Sequence, residues 1–149
     1  MPSLTLLSPF GPLTLTEANG ILTTLDWRAG HDDPSPLLHE TATQLAQYFG
    51  RTRQTFDLPF ALGHGLQSQV RRAMRAIPYG ETRTYGDLAR DLHTNPQAIG
   101  QACGANPLPI LIPCHRVLGA TGLGGFSAIG GVETKVALLR LEGAASLLI

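Results

Sequence analysis

The sequence predicts two domains of different class. Residues 1–60 form a small α/β domain, an antiparallel sheet plus a helix. Residues 61–149 form a mainly α domain that carries a helix-turn-helix. Three observations predict this. Short β-type runs separated by turn residues come first. A stretch without clear period, residues 51–63, contains Pro59 and Gly63 and reads as a linker. Beyond it, apolar residues recur at helical spacing in short segments divided by Pro, Gly and Asn.

In the first domain the runs are 3–8, 12–16 and 20–26, joined by Pro9-Phe10-Gly11 and Glu17-Ala18-Asn19-Gly20, which suits an antiparallel meander. Ser35-Pro36 then starts a helix, with Ser as N-cap and Pro at the first helical position. Leu38, Thr41, Leu45 and Tyr48 follow on one face, and Gly50 ends it.

The second domain opens with a helix near 65–76. Leu66, Val70, Ala73, Met74 and Ile77 form its apolar stripe, and Arg71, Arg72 and Arg75 lie off it. Pro78-Tyr79-Gly80 breaks it. A short helix over 86–92 follows, then a turn at His93-Thr94. Asn95 caps a further helix with Pro96 at its first position, running to about Cys103. Two short helices so tightly joined resemble a helix-turn-helix. The second of them, with Ala98, Gly100, Ala102 and Gly104, is nearly free of bulk and charge, which suits close backbone approach. Gly119 to Gly131 should be a structured loop, and the last helix runs from about Val132 to Leu141.

Composition sets outer limits. The chain of 149 residues is 43% hydrophobic and 15% charged, so it can bury a core. No apolar run has membrane-spanning length. Met1-Pro2-Ser3-Leu4 lacks a basic start and an apolar signal core, so a cytoplasmic protein without membrane partners is expected. Cys103 and Cys114 are too few for a disulfide framework and read as free thiols. Net charge is zero, but residues 1–60 carry −3 and residues 61–149 carry +3. Arg71, Arg72, Arg75, Arg83 and Arg90 crowd together, which suits either a phosphate-contacting face or an ordinary solvated helix face.

The chemistry centres on Ile112-Pro113-Cys114-His115-Arg116-Val117. A thiol reacts as its thiolate, which a nearby base or cation favours and apolar burial disfavours. Cys114 beside His115 and Arg116 reads as a reactive thiol. This segment, with Asn106-Pro107 before it and Gly124-Gly125-Phe126-Ser127 after it, resembles the O6-alkylguanine-DNA alkyltransferases, the methylated-DNA–protein-cysteine methyltransferases. So do Ile77-Pro78-Tyr79-Gly80-Glu81-Thr82, Thr84-Tyr85-Gly86-Asp87-Leu88-Ala89 and the closing Lys135, Leu138-Leu139 and Glu142-Gly143. The match covers about residues 62–143.

The resemblance implies single-turnover repair, in which the alkyl group of O6-alkylguanine moves to Cys114. Double-stranded DNA would be the partner, met through the minor groove by a monomer that needs no cofactor. It implies that His115 takes the thiol proton through a water, that Glu142 orients His115, and that Asn106 supports the hinge near Cys114. Tyr85 would donate to the departing base and press the target phosphate during base rotation. Val117, Gly125, Phe126, Ser127 and Lys135 would form the pocket. Gln97, Ala98, Arg116, Thr84 and Arg83 would meet DNA. The family usually has an arginine where this chain has Gln97 or a local deletion beside it, and a tryptophan where it has Arg71. A zinc site is not expected, because the first domain offers only His31 and His39 and no cysteine. The rival readings are a non-catalytic protein that binds alkylated bases, whose relatives lack the reactive cysteine, and a cysteine hydrolase.

Overall fold

The computed structural model describes residues 1–120, 122–124 and 130–144. It divides into two compact units, Met1–Ala61 and Leu62–Ile149.

In the first unit, β1 (Ser3–Ser8), β2 (Gly11–Ala18) and β3 (Ile21–Asp26) form an antiparallel sheet in the order β1-β2-β3. The β1–β2 turn needs Gly11 at φ 95, and the β2–β3 turn places Asn19 and Gly20 at positive φ, the chemistry that tight hairpins demand. Helix α1 (Pro36–Phe49) starts where Ser35 accepts from the Leu38 amide at 3.3 Å. Its face of Leu38, Thr41, Leu45 and Tyr48 is buried together with Leu13, Leu15, Leu22 and Leu25 of the sheet. The stretch expected as a featureless linker is partly structural. Leu22 donates to Pro59 and accepts from Ala61, both at 2.9 Å, so residues 59–61 lie along β3 and fill its open edge.

The second unit holds helix α2 (Gly65–Arg75), strand β4 (Arg83–Thr84), helix α3 (Tyr85–Asp91), helix α4 (Pro96–Gly104), a 3₁₀ turn at Cys114–Arg116, strand β5 (Val117–Leu118) and helix α5 (Val132–Leu141). Helices α3 and α4 form the expected helical pair. Thr84 caps α3 in a reciprocal capping box with Asp87, so the helix begins at Tyr85, one residue before its expected start. Asn95 caps α4 by accepting from Ala98 at 2.9 Å. Val70, Met74, Leu88, Ile99, Leu108, Ile112, Leu138 and Leu139 are all buried.

Two further features depart from the sequence reading. Arg71, expected off the apolar stripe, is 7% exposed. Strands β4 and β5 form a short parallel pair, with Arg83 opposite Val117 and Thr84 opposite Leu118. That pair ties the start of α3 to the segment just after Cys114. No helix among the described residues is long and apolar enough to cross a membrane.

Candidate active site

The segment carrying Cys114 is shaped before the cysteine is reached. Asn106 accepts from the Leu108 amide at 3.1 Å and donates to the Ile112 carbonyl at 2.9 Å, stapling the loop across itself. Ile110 sits at φ 71, a left-handed conformation that costs a β-branched residue on the order of 1–3 kcal/mol and persists only where the surroundings dictate it. It is 1% exposed. Pro113 adopts φ −80 and ψ 68, and the Cys114 amide donates past it to Ile112 at 2.8 Å, an inverse γ-turn. The chain then enters the 3₁₀ turn.

That turn brings two of its side chains, His115 and Arg116, to one carboxylate. His115 is fully buried, and its Nε2 lies 2.7 Å from Glu142 Oε2. Glu142, the residue that caps the C-terminus of α5, also accepts from Arg116 Nε on Oε1 and from Arg116 Nη2 on Oε2, both at 2.9 Å. The remaining arm of Arg116 donates to the Ile77 carbonyl at 2.8 Å, and its guanidinium lies 5.8 Å from the centre of the Tyr79 ring. Three donors hold the Glu142 carboxyl well below the usual range, at about 2, against the opposing effect of burial. An ionised carboxylate only accepts, so His115 carries its proton on Nε2 and offers Nδ1 as a lone pair. Nδ1 is buried and has no hydrogen-bond partner among the described residues. Burial also lowers the His115 pKa from 6.5, so the ring is neutral near neutral pH.

The sulfur has other neighbours. Burial pushes the Cys114 thiol up, and a hydrogen bond with Asn106 and the charge of Lys135 pull it down. Arg116, adjacent in sequence, spends its charge on Glu142 instead. It is 6% exposed, with its donors taken by Glu142 and Ile77, so it does not form part of a DNA-facing surface; that expectation is corrected by its ion pair. Lys135 is fully buried and donates to the carbonyls of Val117, at 2.6 Å, and Leu123. It ties β5 to the glycine-rich loop and lies 5.7 Å from the centre of the Tyr85 ring. Burial lowers its pKa to about 8.

Tyr85 opens α3 beside Gly124. A Cβ at Gly124 would come within 2.9 Å of the Tyr85 hydroxyl, so the loop needs glycine there both for its φ of 73 and for that approach. Burial raises the Tyr85 pKa to about 12, which keeps the phenol protonated. Thr84 is committed to the capping box, and Arg83 is paired with Asp91 at 2.8 Å and Asp87 at 3.7 Å. Gln97 is exposed and Ala98 half-buried in the first turn of α4. Gly125, Phe126 and Ser127 lie outside the described residues. Cys103, on α4, points its sulfur at Met74 Sδ, 3.5 Å away, and burial raises its pKa to about 12. No group of three metal-ligating side chains occurs among the described residues.

The structure thus brings Cys114, His115, Glu142, Asn106, Tyr85, Val117 and Lys135 into one contiguous region of the second unit. Sequence reasoning assigned no site role to Ile77, Tyr79 or Ile110. Nothing local in Ile77–Gly80 signals that an arginine 39 residues after Ile77 will dock there.

Comparison with known proteins places this arrangement. Residues 65–144 match the family model described as 6-O-methylguanine DNA methyltransferase, DNA binding domain. A methylated-DNA–protein-cysteine methyltransferase of Mycobacterium bovis is 41% identical over 147 residues, covering 91% of this chain and 88% of that protein. One from Archaeoglobus fulgidus is 44% identical over 109 residues, covering 70% of this chain and 74% of that protein. Among solved structures, Mycobacterium tuberculosis OGT in complex with DNA superposes with a TM-score of 0.85 at 39% identity, covering 97% of this chain and 94% of that one.

The buried pair sets a stability prediction. Arg116→Met leaves Glu142 charged and short of donors, and should cost about 3–5 kcal/mol in urea unfolding. Glu142 has a depressed folded pKa. Its contribution is therefore full above its unfolded value of about 4.5 and is lost as pH falls towards 2. Acid unfolding of Glu142→Gln should accordingly show a flatter pH dependence between those limits. A dependence equal to that of the unaltered protein contradicts the assignment.

Proposed function

The chain belongs to the 6-O-methylguanine DNA methyltransferase family, and from that premise we propose how its own residues carry the reaction. The protein is a methylated-DNA–protein-cysteine methyltransferase: it binds DNA and repairs alkylated guanine by direct reversal, moving the alkyl group to a cysteine of its own. The acceptor is Cys114. The observation that carries this is the pairing of its neighbour, His115, with Glu142, which leaves Nδ1 as an uncommitted base within the buried region. Among the described residues Cys103 has no such neighbour, and its sulfur faces Met74.

In this reading the Cys114 proton passes through a water to His115 Nδ1, and Glu142 stabilises the resulting imidazolium. The Sγ lone pair forms a bond to the alkyl carbon as the bond from that carbon to O6 breaks. The electron pair leaves with guanine, and the Tyr85 hydroxyl, kept protonated by burial, donates to the departing base. Lys135 holds Val117 and the glycine-rich loop as the walls of the pocket. The product is a thioether with no acyl carbon for water to attack, so each molecule acts once.

The base must leave the stack to reach Cys114, and α4 is the element that meets the duplex, in the minor groove. Support comes from Gly100. A Cβ there would meet nothing within 4 Å, so the fold does not require glycine at a helical position where it costs about 1 kcal/mol relative to Ala. Close approach by the duplex does. Gln97 and Ala98 lead that face, with Thr84 and Arg83 at its margin. The protein acts as a monomer in the cytoplasm, where its two free thiols remain reduced.

Incubation with duplex carrying O6-methylguanine should add one methyl to the intact mass, on Cys114, without a second turnover. Cys114→Ser should add none. Binding with unchanged mass in the unaltered protein would instead support the non-catalytic reading, and hydrolysis of an acyl substrate the hydrolase reading. Gln97→Arg should raise the rate on duplex, because a longer charged side chain fills the space of the extruded base better. It should leave the rate on free O6-alkylguanine unchanged. An equal effect on both substrates contradicts a role in extrusion.

A further inference from the structure

The first turn of α2 contributes no residue to the site described above and has a composition that needs explaining. The turn has no side-chain cap: His64 stands at the N-cap without a side-chain hydrogen bond, and no acidic residue follows in the first turn. Its leading amides, such as those of Leu66 and Gln67, therefore point out of the helix as donors, at its positive end. Arg71 stands one turn further along, with its guanidinium beside Gly63 and the Gln67 side chain. Side chains on a helix lean towards its N-terminus, and this one reaches back to Gly63. A Cβ at Gly63 would be 2.8 Å from Arg71 Nη1, so the guanidinium lies against the bare backbone there.

Among the described residues the charge has no counter-ion. Arg71 is 7% exposed, and no carboxylate pairs with it among the described residues. Among the described residues its one side-chain partner is Gln67 Oε1, at a long 3.4 Å from Nη2, and Nε is buried without a partner there. Burial alone lowers its pKa from 12.5. A buried guanidinium without an anion is costly, and a fold retains one where an anion completes it. The helix end and the arginine are independent features, and both ask for the same thing: oxygens carrying negative charge, presented to a fork of N–H groups.

We propose that the first turn of α2, with Arg71 one turn further along, is a binding site for a phosphate group. Two sources present that chemistry, a backbone phosphate of the bound duplex and free phosphate. As a duplex contact the site rests on the repair reading above.

Inorganic phosphate is titrated at constant ionic strength against chloride, following the Leu66 and Gln67 amides by NMR. The salt dependence of binding to an unmodified duplex is measured alongside. The substitution Arg71→Trp removes the charge and keeps a large group in the space. The unaltered protein should show saturable shifts that Arg71→Trp lacks. If the source is DNA, the slope of log affinity against log salt should also fall by about one in Arg71→Trp. Saturable shifts with an unchanged slope identify free phosphate as the ligand. Absent shifts with an unchanged slope overturn the proposal. Gln67→Glu, which offers Arg71 a carboxylate from within the chain, should also abolish the shifts, and it serves if Arg71→Trp fails to fold. Alkyl transfer from free O6-alkylguanine is measured on the same proteins. Its loss in the unaltered protein counts against the repair reading, while its retention in Arg71→Trp with unchanged slope and shifts counts against the site alone.

Discussion

The second unit depends on one carboxylate. Glu142 accepts from His115 Nε2 and from two nitrogens of Arg116, and through Arg116 it is linked to the carbonyl of Ile77 after α2. Removing these charges from water is expensive, and only near-ideal geometry recovers the cost. The bonds of 2.7 and 2.9 Å meet that condition. The pair does more than hold elements together. By remaining ionised, Glu142 selects the tautomer of His115 and leaves Nδ1 as the bare nitrogen, the one to which the proposed mechanism gives the proton. Stability and reactivity rest on the same atoms.

The thiol illustrates a balance of forces. Burial resists ionisation, while Asn106 and Lys135 favour it. In the proposed mechanism such a thiol stays neutral, and less open to oxidation, until a base takes its proton. Lys135 works on geometry as much as on charge, since its ammonium is bound to two backbone carbonyls. The strained Ile110 and the γ-turn at Pro113 belong to the same design, in which backbone cost is accepted to set the direction of Cys114.

Much of the fold could be read from local chemistry. Ser35-Pro36 and Asn95-Pro96 start helices where capping and fixed φ require, and Leu38, Thr41, Leu45 and Tyr48 face inward as their spacing demands. At the site the resemblance joined His115 to Glu142, and those two side chains meet at 2.7 Å. What could not be read was long-range pairing. Arg116 is two residues from Cys114 in sequence yet its guanidinium goes to Glu142 and Ile77, partners 26 and 39 residues away that no local pattern announces. Arg71 breaks helical patterning, since a charge on an apolar face has no local signature of burial. The β4–β5 pair and the strip at residues 59–61 join segments of two or three residues, too short for any period to show.

The claim that Glu142 sets the protonation pattern of His115 can be tested at the ring itself. Nitrogen-15 NMR of the imidazole in the unreacted protein at neutral pH distinguishes the two tautomers and the imidazolium. A proton on Nε2 and a bare Nδ1, lost in Glu142→Gln, is the predicted result. A protonated Nδ1, or an imidazolium at neutral pH, contradicts the account.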